Sequence, residues 1–296
     1  MSINIVAPDG SMQDTVNTLF RQAGLPVTIK KKRTKEGRVN SVNWIERVVF
    51  QRPQEIPHYL LHDLFVVAIV GEDWISNWGY EFPVLLKLPV GRGGNNAVRI
   101  VLAVRDDSDI RSVEDLPQDC EIATEYVQLV ERFLREQGRE DISILPSYGN
   151  TEHKINFGAT AIVDVTESGD SLRENGLRII HTIMESNTVV VANPRALEDK
   201  SKKRYIDYFT RFINGAFQAS YYAMLVANVP QEVQREAAAI IGGLKGPSCS
   251  PMTGMEGWVA LQSVVPREDA QEIIANLLDI GVTDIIVNRN IPMIMS

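Results

Sequence analysis

Through the first two thirds of this 296-residue chain, short runs of valine and isoleucine alternate with stretches whose apolar residues recur at helical spacing, and few folds accept that alternation. Ile3–Ala7, Val48–Phe50, Val66–Val70, Val98–Val104, Ile122–Ala123, Ala161–Val165 and Val189–Ala192 read as strands. Met12–Ala23, Ile56–His62, Glu125–Gln137 and Ser201–Ala219 read as the helices between them. Strands that are apolar at every position need cover on both faces, so the pattern predicts layered α/β structure. One residue breaks the rule in Ala161-Ile162-Val163-Asp164-Val165, and a carboxylate near the end of a buried strand makes Asp164 a candidate site residue.

Beyond residue 220 the character changes. Val229-Pro230-Gln231-Glu232 returns as Val265-Pro266-Arg267-Glu268, 36 positions later. Each copy follows a strand, Tyr221–Val229 and then Trp258–Val265, and its proline suits the first turn of a helix, where the missing N–H costs nothing. In the second copy Ala270, Ile273, Ile274, Leu277 and Leu278 recur at helical spacing, and Gly281 ends the helix before Val282–Val287. The result is a βαβ unit twice over, the ferredoxin-like sandwich, which serves equally as a ligand-binding or a dimerisation module.

Charge and length exclude several classes. The formal net charge of −8 argues against a nucleic-acid partner, because neutralising a phosphate backbone takes a clustered excess of Lys and Arg. A small anionic substrate must therefore meet a local positive site. Lys30-Lys31-Lys32-Arg33-Thr34-Lys35, with Arg38 following, is either a solvated hairpin tip or a loop that draws in polyphosphates. The longest apolar run, Leu64–Val70, falls far short of the ~20 residues that cross a bilayer. No basic and apolar leader opens the sequence, so a cytoplasmic protein without a membrane partner is expected. Cys120 and Cys249 make neither a disulfide framework nor a cysteine metal cluster and read as small core residues.

The most informative stretch runs from Ala161 to Leu177, AIVDVTESGDSLRENGL. A buried strand ends in acids, then hydroxyls and a glycine, then a short helix closed by Asn175-Gly176. Backbone N–H groups at such a helix start, with the Ser168 and Ser171 hydroxyls, suit a phosphate monoester, and Gly169 lets the backbone approach it. Acids just before the loop can accept hydrogen bonds from ribose hydroxyls or help hold hydrated magnesium. On local chemistry alone, a capped turn between strand and helix explains the same residues as well.

This stretch resembles the phosphoribosyl pyrophosphate (PRPP) loop of the ATP phosphoribosyltransferases, and further segments fall in that family's order. They are Arg52-Pro53-Gln54-Glu55-Ile56-Pro57, Ile69–Ile75, Val98–Val104, Ala123-Thr124-Glu125-Tyr126, Ser147–Glu152 and Glu185-Ser186-Asn187-Thr188. Ser248-Cys249-Ser250-Pro251 and Gly257-Trp258-Val259-Ala260 continue the match into the region that short members of the family lack. Two departures stand out. Pro8-Asp9-Gly10-Ser11-Met12 replaces a Pro-Lys-Gly-Arg-Leu type of turn, and Val66 stands where an Asp is more usual. Lys30–Lys35, Arg52 and Arg92 are the candidates to supply the missing charge.

The resemblance implies two periplasmic-binding-protein-like α/β lobes, residues 1–97 with 193–219 and residues 98–192, followed by a ferredoxin-like (βαββαβ) regulatory domain over 220–296. It implies the transfer of the phosphoribosyl group of PRPP to the adenine ring of ATP, magnesium as cofactor, histidine as inhibitor, and a homo-oligomer between dimer and hexamer. Carried over residue by residue, Glu152, Asp164, Thr166, Glu167, Ser168, Gly169, Asp170, Ser171 and Leu172 hold PRPP, with Asp164 and Glu167 near the metal. Arg52, Gly71, Asp73 and Tyr126 line the ATP side, Tyr126 serving as a ring face for adenine or as a core aromatic. Ser248, Ser250 and Thr253 are the candidates for histidine. A catalytically impaired relative and a small-ligand-binding module are the competing readings.

Other constellations carry less. His58, His62 and Asp63 are two ligands and a neighbour, short of a convergent zinc set. Gly91-Arg92-Gly93-Gly94 lacks both the Walker lysine and the dinucleotide spacing, and reads as a turn in which Arg92 can reach a phosphate.

Overall fold

Among the described residues three sheets carry the fold, and which strands share a sheet shows where the chain crosses between them. The computed structural model describes residues 2–31, 35–88 and 97–289, so Lys32–Thr34, Arg92 and the rest of Gly91–Gly94 lie outside the described residues. The chain lays down β1 (Ile3–Pro8), α1 (Gln13–Gln22), β2 (Val27–Lys31), β3 (Glu36–Val39), β4 (Ile45–Gln51), α2 (Ile56–Leu61), β5 (Val67–Gly71), α3 (Glu72–Trp78) and β6 (Val84–Leu88). It continues through β7 (Val98–Arg105), β8 (Glu121–Thr124), α4 (Val127–Glu136), β9 (Ser143–Pro146), β10 (Ala161–Thr166), α5 (Asp170–Glu174) and β11 (Leu177–Ser186). Then follow β12 (Thr188–Ala192), α6 (Pro194–Glu198), α7 (Lys200–Ala219), β13 (Tyr222–Pro230), α8 (Gln234–Ile241), β14 (Ser248–Pro251), β15 (Trp258–Pro266), α9 (Ala270–Asp279) and β16 (Thr283–Asn288).

The first lobe is built on a seven-stranded sheet in the order β2-β3-β4-β1-β5-β12-β6, the second on a five-stranded sheet in the order β11-β7-β10-β8-β9. β1 runs parallel to β4 and β5, and β8 parallel to β9 and β10, whereas β12 joins its sheet antiparallel to β5 and β6. The return crossing is therefore at Asn187, the single residue between β11 and β12. Thr188–Ala192 thus sits in the first lobe's sheet, although the sequence-based range 98–192 assigns it to the second lobe. With a single residue between β11 and β12 there is no turn segment to mark the crossing, which is why it is hard to read.

The interior strands are apolar over most of their length because both faces are covered there. Ile100, Leu102 and Val104 of β7 enter one core cluster with Ala161 and Val163 of β10 and with Val130, Phe133 and Leu134 of α4. Val101, Ala103 and Ile162 face the other way, against Leu172 and Leu177. Each such fully buried aliphatic side chain contributes about 1.5–3 kcal/mol. The helix α3 was not expected; its seven residues hold two tryptophans and too short an apolar stripe to show a helical period.

By contacts the chain divides into two compact units, Met1–Asn17 with Val27–Thr210, and Thr18–Pro26 with Arg211–Ser296. The second contains the sheet β14-β15-β13-β16, antiparallel at every pairing. Ala223, Leu225, Ala227 and Val229 alternate inward on β13 and meet Ala237 and Ile241 of α8 and Ala270 and Leu277 of α9, the ferredoxin-like arrangement. β14 is an edge strand whose four residues are all exposed. Cys249 lies on it, so it is not the core residue that its type suggested, while Cys120 is buried. Among the described residues no helix is long and apolar enough to cross a membrane.

Candidate active site

In sheets with parallel strands, ligands bind outside the carboxyl ends of the strands. In the first lobe the segments leaving β1, β4 and β5 supply Pro8, Ser11 and Met12, then Pro53, then Gly71, Asp73 and Trp74 to one cleft. Val98, Tyr126, Val165 and Ser186 come from the second lobe, and Asn187 and Thr188 from the crossing. The cleft is open to solvent, and the empty space among these residues, open mouth included, is about 580 Å3.

Its floor is a buried carboxylate. Gly71 caps α3 and Asp73 sits in the first turn, where the helix dipole favours an acid. Asp73 is 5% exposed, so its oxygens need partners. Ser186 Oγ donates to Asp73 Oδ1 at 2.7 Å and accepts the Asp73 N–H at 3.0 Å. The Tyr126 hydroxyl donates to Asp73 Oδ2 at 2.8 Å. A β-carbon on Gly71 would lie 2.0 Å from Asp73 Oδ1, although its φ of −75° suits any residue. Close approach, not backbone freedom, requires glycine here.

The neighbouring residues fix α3 against the crossing and the second lobe. Glu72 Oε2 accepts the backbone and side-chain N–H groups of Asn187, both at 3.0 Å, and Glu72 Oε1 lies 2.9 Å from Lys87 Nζ. Burial alone pushes the Glu72 carboxyl upward, but the hydrogen bonds from Asn187 and Lys87 outweigh it and hold the group below its usual range. At the other end of α3, Arg132 of α4 donates to the carbonyls of Ser76 and Asn77. Asn77 Oδ1 in return accepts the Leu129 N–H at 3.1 Å.

The loop after β10 is organised by its own side chains. Gly169, at φ +88°, donates its N–H to Thr166 Oγ1 at 2.9 Å, and the Asp170 N–H reaches Ser168 Oγ at 3.3 Å. Ser168 and Arg173 both donate to the Asp170 carboxylate and hold it below the usual carboxylate range. Asp164 is half-buried on β10, with its Oδ1 accepting the next backbone N–H at 2.7 Å.

Of the residues singled out in the sequence, Gly71, Asp73 and Tyr126 meet at the cleft, and Val165 brings the start of the 164–172 loop to it. Glu152 and the loop residues Glu167–Leu172 are not among its lining side chains, and Arg52 is exposed beside Pro53. Tyr126 is 2% exposed and stacks on Trp74, 4.4 Å between ring centres, so one of its faces is already taken. Ser248, Ser250 and Thr253 are exposed, the first two on β14. His58 contacts the Tyr80 hydroxyl, while Asp63 turns to Asn193 and Arg195. Among the described residues no group of three or more His, Cys, Asp or Glu is placed to hold a metal ion. Ser186, Asn187 and Trp74 were given no role from the sequence; the polar run Glu185-Ser186-Asn187 just before the apolar strand β12 is the signal that points to the first two.

Residues 52–215 match the model of a family described as HisG, ATP phosphoribosyltransferase, and residues 219–289 that of the HisG C-terminal domain. An ATP phosphoribosyltransferase of Pelotomaculum thermopropionicum is 34% identical over 287 residues, covering 97% of each chain. One from Desulforudis audaxviator is 34% identical over 296 residues, covering 99% of this chain and all of the relative. Among solved structures, the ATP phosphoribosyl transferase (HisG:HisZ) complex from Thermotoga maritima superposes with a TM-score of 0.62 at 24% identity, over 73% of this chain and 98% of that one. That likeness is one of fold.

Proposed function

Since this chain belongs to the ATP phosphoribosyltransferase family, the enzymes of the first step of histidine biosynthesis, we propose that ATP and PRPP meet in the cleft floored by Asp73. Nitrogen 1 of the adenine attacks the anomeric carbon of PRPP. The bond from that carbon to the pyrophosphate oxygen breaks, and its electron pair leaves with pyrophosphate. Charge builds up on the ribose ring in passing, so placement and electrostatics carry the rate, and no covalent protein nucleophile is needed.

The ribose 5-phosphate is assigned to Thr166–Leu172, where a bound phosphate competes with Asp170 for the Ser168 hydroxyl. Asp164, Glu167 and Glu152 are assigned to the ribose hydroxyls. Arg52, Gly71, Asp73 and Tyr126 are assigned to ATP, Tyr126 acting there through its hydroxyl on the Asp73 carboxylate. Asp164 and Glu167 suit magnesium that keeps most of its waters and is otherwise held by substrate oxygens, which needs only one or two carboxylates. When bound, magnesium neutralises the leaving pyrophosphate. Histidine is assigned as inhibitor to Ser248, Ser250 and Thr253, and the family supports a cytoplasmic homo-oligomer of two to six chains.

The observation that carries this reading is that the cleft draws on both lobes, with Asp73 from the first hydrogen-bonded to Tyr126 from the second. Purified protein given ATP, PRPP and magnesium should form phosphoribosyl-ATP and pyrophosphate. Folded protein that forms neither at saturating substrates is the impaired relative instead.

A further inference from the structure

Asp9 stands at the start of the turn Gly10–Met12, where an aspartate ordinarily accepts a hydrogen bond from a first-turn N–H. Its carboxylate makes no such cap. It lies instead 2.5 Å from Lys35 Nζ, with the Asp9 side chain 16% exposed and that of Lys35 44%. The backbones of both residues are fixed beside the end of β4. The Asp9 N–H donates to the Gln51 carbonyl, and the Lys35 carbonyl accepts the Phe50 N–H. Lys35 takes φ +50°, a left-handed conformation unfavourable for a residue with a β-carbon.

The location gives the pair its meaning. Pro8, Ser11 and Met12, on either side of Asp9, line the cleft, so the ammonium is held at its rim, where β1, β4 and β5 all end. A half-exposed surface ion pair contributes little to stability. At this rim an uncompensated Asp9 would repel any phosphate-bearing substrate, and Lys35 cancels that charge. Its ammonium is a point charge on a flexible four-carbon stem, free to change partners without moving the backbone.

We propose that Lys35 is a substrate-binding cation: Asp9 holds its ammonium at the rim of the free cleft, and arriving phosphate groups draw it off the carboxylate. This rests on the reading of the cleft given above. The ligand chemistry is a phosphate or pyrophosphate group, which either ATP or PRPP can supply, so each is titrated separately.

The test is calorimetric titration of ATP and of PRPP into wild-type, Lys35→Met, Lys35→Arg, Asp9→Asn and the Asp9→Asn/Lys35→Met double variant, at low and high salt, beside steady-state kinetics. Lys35→Met should weaken one substrate by about tenfold to a hundredfold, the scale of a charge-assisted hydrogen bond, and raise KM more than it lowers kcat. That loss should shrink at high salt, and Lys35→Arg should restore most of the affinity. Asp9→Asn should tighten the same substrate, and the double variant should bind better than Lys35→Met because the unpaired carboxylate is gone. Wild-type affinity for both substrates in Lys35→Met overturns the inference while leaving the enzyme reading intact. Weaker binding by Asp9→Asn overturns the exchange of partners. Wild-type protein that binds neither substrate overturns both readings.

Discussion

The Tyr126 hydroxyl and the Asp73 carboxylate meet at 2.8 Å, with the two residues 2% and 5% exposed. One side chain belongs to the second lobe and the other to the first, so this bond sets how the two walls of the cleft face each other. Tyr126→Phe keeps the stack on Trp74 but strips a buried carboxylate oxygen of its donor, which costs about 1–3 kcal/mol. The variant should melt earlier than wild type and lose kcat/KM. Unchanged melting and kinetics would show that the bond contributes neither to stability nor to the site.

Gly71→Ala tests the close approach at the same place. The added methyl group would sit 2.0 Å from Asp73 Oδ1, so the carboxylate has to swing away from Ser186 and Tyr126. Activity should fall at least about tenfold, the consequence of about 1.4 kcal/mol, with the far-ultraviolet circular dichroism spectrum preserved. An alanine variant as active as wild type would mean that the Asp73 network is not part of the site.

Gly169→Val acts through the backbone. Among the described residues the new side chain has only Arg173 and Ile179 near it, both 3.4 Å from the β-carbon, so crowding is mild, but φ +88° is a conformation that a β-branched residue resists. The loop should open and the affinity for PRPP, measured by titration, should drop while that for ATP holds. Equal affinity for PRPP in the variant and wild type would remove the phosphate from this loop.

Acid should loosen the crossing between lobes. The Glu72 carboxyl is held below its usual range in the folded chain, so the stability it contributes is present above the unfolded-state value and is lost as pH falls through the folded-state value. Glu72→Gln should therefore flatten the acid side of a plot of melting temperature against pH, and the two proteins should converge at low pH. Parallel curves for the two would show that Glu72 titrates alike in both states.

Histidine binding is tested on the intact chain, with Ser248→Ala/Ser250→Ala beside wild type in a calorimeter. Both hydroxyls are exposed on an edge strand, where a small zwitterion can reach them, and their loss should weaken binding several-fold at about 0.5–1.5 kcal/mol for each bond. Linkage requires that saturating PRPP weaken histidine by the factor by which histidine weakens PRPP. Identical isotherms for the two proteins would move the effector elsewhere.

How much of this was legible beforehand depended on length and on partners. Ala161–Val165 and Val98–Val104 read as strands from their own residues, because burial on both faces leaves a local mark. The glycine loop after Asp164 did too, along with the short helix α5. The helix α3 did not, since its place is set by bonds to Asn187, Ser186 and Arg132, residues more than fifty positions away. The same holds for the Asp73 network. Its three members sit in separate segments, and the resemblance gave roles to Asp73 and Tyr126 but none to Ser186. The exposed position of β14 was equally silent, because an edge strand of Ser-Cys-Ser-Pro has no apolar alternation to betray it.

β12 has one further property. Its five residues, Thr-Val-Val-Val-Ala, are all buried, so sliding the strand by one position would replace valine with valine on each face. Hydrophobic alternation therefore cannot tell this strand where to stop. Its alignment is set at its two ends, by Asn187 clasped to Glu72 and by Asn193, whose side-chain N–H reaches the Leu60 carbonyl at 2.9 Å. Two asparagines flanking a featureless segment thus perform the proofreading that the segment itself lacks.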